Sequence, residues 1–116
     1  MYQLSAQSLH QLFIQGELSA EQIVDGTFKR IAHFNPKVAA FLTLFSERAT
    51  EKAKQLDQKR ARGEKLGRLA GVPIAFKDNI NVLNEKTTCG SQFLSNYNAV
   101  FDATVTRLIE AEDALI

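Results

Sequence analysis

The residue in this sequence that is the clearest candidate for a catalytic role is a lysine that follows a short apolar run. Lys77 comes directly after the run at 72–76, and Asp78 and Asn79 follow it. A lysine is protonated near neutral pH, but burial lowers its pKa towards the range in which the amine accepts a proton. Lys77 is therefore a candidate general base, although a lysine at such a position is usually a strand end that reaches solvent. Asp78 and Asn79 are expected to shape the turn through side-chain bonds to the backbone.

A second group of polar side chains lies in the turn-rich stretch at 81–98. Thr87, Thr88 and Ser91 carry hydroxyl groups, and Cys89 is the one cysteine in the chain. The hydroxyl groups are expected to make hydrogen bonds within the loop. A single cysteine forms no internal disulfide, and we predict that Cys89 is a small buried apolar residue.

Composition and charge exclude several classes of protein. The chain has 116 residues, of which 45% are hydrophobic and 23% charged, as in ordinary globular domains rather than disordered or fibrous chains. Its net charge of +1 gives no footprint for nucleic acid. The sequence has no metal-ligand spacing, no secretory signal and no apolar run as long as a membrane span. We therefore expect a cytoplasmic protein without a metal, a cofactor of its own or a membrane contact.

Local signals predict two helices in the first third of the chain. Ser5 is a plausible N-cap of the first helix, and Gly16 marks its end. Ser19 with Gln22 forms a capping-box pattern that starts the second helix. The pair at 35–36, Asn-Pro, is predicted to end that helix, because the residue before a proline avoids the helical region.

Two further stretches precede the lysine. The apolar run at 39–45 fits either a strand or a buried helical turn, and its periodicity does not separate them. The stretch at 46–62 is strongly helical, with a thin apolar seam. Its basic end at 59–62 suits a helix C-terminus. We interpret these cations as a solvated face, with RNA contact as the alternative.

The second half reads as strand, loop, helix and the start of another strand. The run at 72–76 is the first predicted strand. Asp102 is the predicted cap of an amphipathic helix with Val105, Leu108 and Ile109 on one face. A second strand starts at 114–116. This order begins a crossover unit of an α/β sheet. Such a strand needs neighbours and covering helices, so we expect the chain to be a fragment or truncated part of a larger domain.

Three linked motifs resemble the amidase-signature family. Residues 67–80 are similar to its lysine-bearing strand, 86–91 to its Thr-Thr-x-Gly-Ser segment, and 101–105 to the start of its next helix. Several motifs in the right order make a specific signal. The resemblance implies a mixed-sheet α/β fold that is incomplete in this chain. Its helical part would be 1–65, and the start of the catalytic core 66–116.

The resemblance also implies a chemistry, which is amide hydrolysis by a triad of two serines and a lysine. Lys77 matches the catalytic lysine of the family. The residues that would surround it are Asp78, Asn79, Thr87, Thr88 and Ser91. The two catalytic serines of the family belong to a Gly/Ser-rich stretch that this sequence does not contain, so Ser91 is not expected to be the nucleophile. The 116-residue chain alone is therefore expected to be inactive.

Within the family, the N-terminal helices resemble the branch that serves tRNA-dependent amidotransferases. That branch would imply glutamine as the substrate and amido donor of a carbon–nitrogen ligase complex. It would also imply B and C partner subunits, ATP and magnesium used by one of those partners, and tRNA bound indirectly. Two alternatives remain open. One is a general small-amide amidase of the same family, and the other is a non-catalytic remnant that acts as an interaction module.

One short segment departs from the family pattern. Where the family commonly has Ala-Gly-Ala before the next strand, this chain has Glu-Asp-Ala at 112–114. Asp113 adopts a left-handed backbone less readily than glycine does. This departure concerns the local turn and leaves the resemblance to the family intact.

Overall fold

The computed structural model describes residues 3–116, which form helices joined by long extended and turn-rich stretches. The α-helices are α1 Ala6–Ile14, α2 Ala20–Val38, α3 Ser46–Ala61 and α4 Thr104–Ala111, with a 3₁₀ helix at Gln92–Leu94. Pairing between extended segments is limited to two isolated bridges in this part of the chain. Pro73 pairs in parallel with Leu115, and Lys86 pairs antiparallel with Asn98.

The predicted starts of the first two helices are confirmed. The hydroxyl oxygen of Ser5 accepts a hydrogen bond from the N–H of Ser8 at 3.0 Å. Ser19 and Gln22 form the full capping box, because each side chain accepts from the other residue's N–H, at 3.0 and 2.9 Å. These caps satisfy N–H groups that the helices themselves leave unpaired. Gly16 follows α1 with a φ of 79°, which suits its predicted role at the end of that helix.

The predicted end of the second helix is wrong, because α2 continues through Pro36 to Val38. Pro36 removes a single donor in the last turn, and the Asn35 side chain beside it binds the chain that follows the helix. Asn35 accepts from the N–H of Phe41 at 2.8 Å and donates to its carbonyl at 2.9 Å. Ala39 caps the end of the helix, with a φ of 48° and a hydrogen bond from its N–H to the carbonyl of Asn35 at 2.7 Å.

The apolar run at 39–45 is neither a strand nor a helical turn, since it follows an irregular extended path. It passes beside an open apolar groove that lies between α2 and the stretch at 73–76. Phe28 and Ile31 of α2 line this groove, as do both predicted strands. The groove is therefore an uncovered face beside the segment that carries Lys77.

The main core lies where α1, α2 and α3 meet, and Phe13 is its centre. Phe13 is fully buried, and the Arg60 guanidinium stacks on its ring at 4.5 Å from the centroid. Gly71 packs against the same ring with a φ of 78°, so that an added Cβ would lie 2.7 Å from the Phe13 Cβ. His10 holds the adjoining residue through a 2.8 Å hydrogen bond between its Nδ1 and the Ala70 carbonyl. These contacts dock the loop before Pro73 onto α1.

The basic end of α3 is only partly solvated, which corrects the interpretation of 59–62. Arg60 donates to the carbonyls of Phe13 and Leu18, and Lys59 pairs with Asp113 at 2.5 Å. Both side chains are less than a third exposed. These two cations therefore connect elements of the fold rather than facing water.

The predicted crossover unit is present as a short parallel pairing. The N–H of Ile74 donates to the carbonyl of Leu115 at 2.8 Å, and the N–H of Leu115 donates to the carbonyl of Val72 at 2.9 Å. α4 runs between the two segments in the chain. We call them the Pro73 segment (72–74) and the Leu115 segment (114–116).

One prediction about α4 is wrong. Asp102 does not cap it, because the capping position is Ala103 and the Asp102 carboxylate accepts instead from the N–H of Leu83 at 2.7 Å. Thr106 is the buried position of α4. Val105 and Leu108, on the predicted apolar face, are 41% and 64% exposed, so residues 3–116 leave this face largely uncovered. None of the helices within residues 3–116 combines the length and hydropathy needed to span a bilayer.

Candidate active site

Lys77 lies at the end of the extended stretch that begins at Pro73, and its side chain is exposed. Its carbonyl accepts from the N–H of Ile80 at 3.0 Å, which closes a turn immediately after it. The burial that would make Lys77 a base is not supplied by residues 3–116. The amine is instead open to groups outside this part of the structure.

Asp78 connects the Lys77 turn to the loop that carries the hydroxyl residues. Its carboxylate accepts from the N–H of Thr88 at 2.8 Å and from the Thr88 hydroxyl. Its carbonyl accepts from the N–H of Cys89 at 2.8 Å. We call these contacts the Asp78–Thr88 junction. They extend the prediction that Asp78 shapes a local turn, because they fix two loops to each other.

The junction sets the charge state of Asp78. The hydrogen bonds from the Thr88 hydroxyl and N–H lower the pKa of the Asp78 carboxyl below its ordinary value of 3.8, although slight burial opposes them. The group is therefore a carboxylate at neutral pH, and it acts as an acceptor that holds the loop. A role as proton donor to a substrate does not fit this state.

Cys89 is exposed, so the prediction that it is buried is wrong. Cys89 and Gly90 both have a left-handed backbone, with φ values of 53° and 70°. The Thr88 hydroxyl accepts from the N–H of Gly90 at 3.2 Å, and the Thr88 carbonyl accepts from the N–H of Ser91 at 2.9 Å. This tight turn directs the Cys89 side chain outward while its backbone stays bound to Asp78.

The remaining predicted site residues have different surroundings. Thr87 is buried at 3% exposure, and its N–H donates to the carbonyl of Tyr97 at 3.2 Å beside the Lys86 bridge. Ser91 is half-buried ahead of the 3₁₀ helix, and Asn79 is exposed. The structure thus brings Lys77 and Thr88 into one region through Asp78, whereas Thr87 supports the loop from inside. Among residues 3–116, no group of three or more His, Cys, Asp or Glu side chains is placed to hold a metal ion.

Asp113 is a structurally important residue that stands out in the sequence only as a departure from the family pattern. It is 4% exposed, has a φ of 63° and contacts Lys59, Lys52 and Gly67. Burial raises the pKa of its carboxyl, but hydrogen bonds from Lys59 and Gly67 and the charge of Lys52 outweigh burial and lower it. The available signal was an acidic residue at a helix C-terminus, where the dipole disfavours it without a cation nearby.

The sequence and the fold together define the class of protein. Residues 22–116 match the profile of the Amidase family, and the chain belongs to that family. The A subunit of the glutamyl-tRNA(Gln) amidotransferase from Chlamydia felis is 52% identical over 116 residues, and the corresponding Fusobacterium nucleatum protein is 46% identical. Both alignments cover 100% of this chain and 24% of the relative, so the chain spans about a quarter of their length.

Solved structures agree with this family. A bacterial aryl acylamidase of the amidase-signature family superposes with a TM-score of 0.92 at 27% identity, covering 97% of this chain and 24% of that one. The peptide amidase of Stenotrophomonas maltophilia gives a TM-score of 0.89 at 28% identity, covering 96% and 23%. The predicted fold class, part of an amidase-signature α/β fold, is confirmed.

Proposed function

We propose that this chain is the N-terminal part of a glutamine amidohydrolase subunit. That subunit would supply ammonia for the conversion of Glu-tRNA(Gln) or Asp-tRNA(Asn) to Gln-tRNA or Asn-tRNA. The observation that carries the proposal is the similarity to amidotransferase A subunits across the whole chain, at 52% identity to the Chlamydia felis protein. Residues 1–65 would be the helical part of a single amidase domain, and 66–116 the start of its catalytic core.

Lys77 is the catalytic residue of this proposal. A serine from another part of the complete subunit would attack the amide carbonyl, and a second serine would relay the proton to the Lys77 amine. The exposed position of Lys77 leaves its amine open to such a hydroxyl group. The remaining protein must also bury the amine, because only the neutral form accepts a proton. The Asp78–Thr88 junction would hold Thr88 and Ser91 beside this site.

The proposal includes partners. The subunit would work in the cytoplasm with B and C subunits, one of which uses ATP and magnesium and binds the misacylated tRNA. This division of labour fits the net charge of +1, which gives no footprint for nucleic acid.

The test is Lys77→Ala in the complete subunit, coexpressed with the B and C subunits. Because the triad acts as a unit, glutamine hydrolysis should fall by about 1,000-fold or more. Copurification of the three subunits should not change. Lys54→Ala is the matched control, since Lys54 is an exposed lysine on α3 away from the site. Near-normal turnover by Lys77→Ala would remove Lys77 from the mechanism.

A second candidate function is a general amidase that acts on small amides. The superposition on an aryl acylamidase and a peptide amidase favours it, because the Lys77 region alone does not select a substrate. Glutamine and an aryl amide, offered to the purified complete protein with and without the B and C subunits, separate the two functions. A third candidate is a non-catalytic interaction module. We expect no amidase activity from the 116-residue chain alone, and a Ser91-dependent glutaminase rate from it would contradict this expectation.

A further inference from the structure

The turn between α4 and the Leu115 segment contains a buried carboxylate in a conformation that favours glycine. Asp113 has a φ of 63° and is 4% exposed. A left-handed backbone costs free energy for a residue with a Cβ, and a buried carboxylate costs more unless it is paired. Both costs fall on one residue, so Asp113 must make contacts that a glycine at this position would lack.

Those contacts come from two other elements. Lys59 of α3 donates to Asp113 Oδ2 at 2.5 Å, and Lys52, also on α3, lies 3.5 Å from Oδ1. The N–H of Gly67 donates to Oδ2 at 2.8 Å. One carboxylate therefore joins α3, the loop before the Pro73 segment and the turn before the Leu115 segment.

The loop and the turn also contact each other directly. The carbonyl of Glu112 accepts from the N–H of Leu69 at 2.9 Å, and the Glu112 carboxylate accepts from the N–H of Arg68 at 2.8 Å. Gly67 lies so close that an added Cβ would be 2.3 Å from the Glu112 carbonyl carbon. We call the contacts among 67–69, 112–113, Lys52 and Lys59 the clasp.

The clasp lies just before both halves of the parallel pairing. A few residues after 67–69 the chain reaches the Pro73 segment, and immediately after Asp113 it enters the Leu115 segment. When two segments are each anchored close to their first residue, the anchors determine which residues of the segments pair. The clasp therefore sets the register in which Pro73 pairs with Leu115. Lys77 follows in the same extended stretch, so its position depends on that register.

We propose that Asp113 is a positioning residue which, through Lys59 and Gly67, sets the register of the Pro73 segment on the Leu115 segment and thereby places Lys77. The last step rests on the proposed function of Lys77, whereas the register step does not.

The experiment uses three variants of the complete subunit. Asp113→Gly keeps the left-handed backbone and removes the carboxylate, Asp113→Asn keeps the shape and removes the charge, and Lys59→Met removes the main cation. Amide hydrogen exchange, followed by mass spectrometry, reports on peptides that cover 72–74 and 114–116. We expect Asp113→Gly to speed exchange there by about tenfold or more, and α1 peptides to stay unchanged. Asp113→Asn and Lys59→Met should give smaller increases, and Glu64→Gln, which alters an exposed ion pair with Arg62, should give none.

Kinetics test the second step at a temperature at which every variant is folded. Asp113→Gly should lower kcat by about tenfold and leave KM within about twofold, because displacement of a catalytic group acts on the chemical step. If Asp113→Gly exchanges its amides at 72–74 and 114–116 as slowly as the wild type does, the register role is overturned. Faster exchange with an unchanged kcat overturns the placement of Lys77. If the wild-type protein hydrolyses no amide, the proposed function fails, and the exchange data still decide the register role.

Discussion

Asp78 joins two loops of the candidate site through one carboxylate. It accepts two hydrogen bonds from Thr88, and its backbone carbonyl accepts a third from Cys89. Hydrogen bonds to a charged group contribute more to stability than those between neutral groups. The relative position of Lys77 and the hydroxyl-bearing loop therefore depends on the ionised form of Asp78.

Removal of the Thr88 hydroxyl should weaken this junction in a pH-dependent way. We expect Thr88→Val to lower the free energy of unfolding by about 1 kcal/mol at pH 7, measured by urea denaturation. The pKa of Asp78 is lowered on folding, so its contribution is fully present above its ordinary value of 3.8 and is lost as pH falls through the lower folded pKa. The difference between wild type and Thr88→Val should therefore shrink in strong acid.

Thr88→Ser is the control for that prediction. Serine keeps the hydroxyl donor and loses only a methyl group, so it should retain most of the wild-type stability at pH 7. Equal stability of Thr88→Val and wild type at pH 7 would show that the hydroxyl contributes nothing to the junction. A difference that persists unchanged in strong acid would show that its strength does not depend on the Asp78 charge.

At the level of elements, α2 begins with two caps rather than one. Ser19 caps the helix from the position directly before it. Asp57 of α3, farther along the chain, accepts from the N–H groups of Ala20 at 2.9 Å and Glu21 at 3.1 Å. Arg60 lies 3.5 Å from the same Asp57 carboxylate. The N-terminus of one helix is thus bound to the side of another, close to the core around Phe13.

Loss of the second cap should destabilise the helical part of the chain. We expect Asp57→Ala to lower the free energy of unfolding by about 1 to 2 kcal/mol, because two N–H groups at the helix start lose their acceptor. Asp25→Ala is the matched control, since Asp25 forms an exposed pair with Lys29 on the surface of α2. It should cost about 0.3 to 0.5 kcal/mol. Equal losses in the two variants would argue against a capping role for Asp57.

The sequence predicted those elements whose signals are local. Ser5 and Ser19 cap helices that follow them directly, so their spacing was sufficient. The predictions that α2 ends at Pro36 and that Asp102 caps α4 were wrong because of contacts with other parts of the chain. Asn35 secures the last turn of α2 through Phe41, and the N–H of Leu83 occupies the carboxylate of Asp102. Neither contact is visible in a short window of sequence.

In the candidate site, too, features with local sequence signals were predicted, and features set by contacts between separate loops were not. Lys77 was found from its place after an apolar run and from the family motifs around it. The junction between Asp78 and Thr88 was not foreseen, because it connects loops on either side of a turn-rich stretch. The exposure of Cys89 also escaped prediction, since it follows from a left-handed backbone at a residue that is rarely found in that conformation.

At the level of the whole molecule, the open apolar groove beside α2 leaves apolar side chains uncovered. Phe28, Ile31 and Ile74 line the open groove. Val38 and Leu42 nearby are 63% and 75% exposed. Isolated apolar side chains are common on protein surfaces, but a contiguous apolar area of this kind marks a surface that associates.

The 116-residue chain, prepared alone, should therefore bind a hydrophobic dye and associate as its concentration rises. Dye fluorescence and concentration-dependent sedimentation measure the two effects. Leu42→Lys should reduce both, because it places a charge at the edge of the apolar area. Lys54→Ala, which alters an exposed position on α3, should change neither. A monomer that binds no dye at any concentration would contradict the prediction.

The inward direction of Lys59 and Arg60 has a consequence for polyelectrolyte binding. Lys59 and Arg60 are held by a carboxylate and by backbone carbonyls, so a phosphate backbone would have to compete with contacts that hold the fold together. Counterion release, which drives most protein affinity for nucleic acids, requires cations that are free to replace salt ions. Any association of this segment with tRNA should accordingly show a shallow dependence on salt concentration.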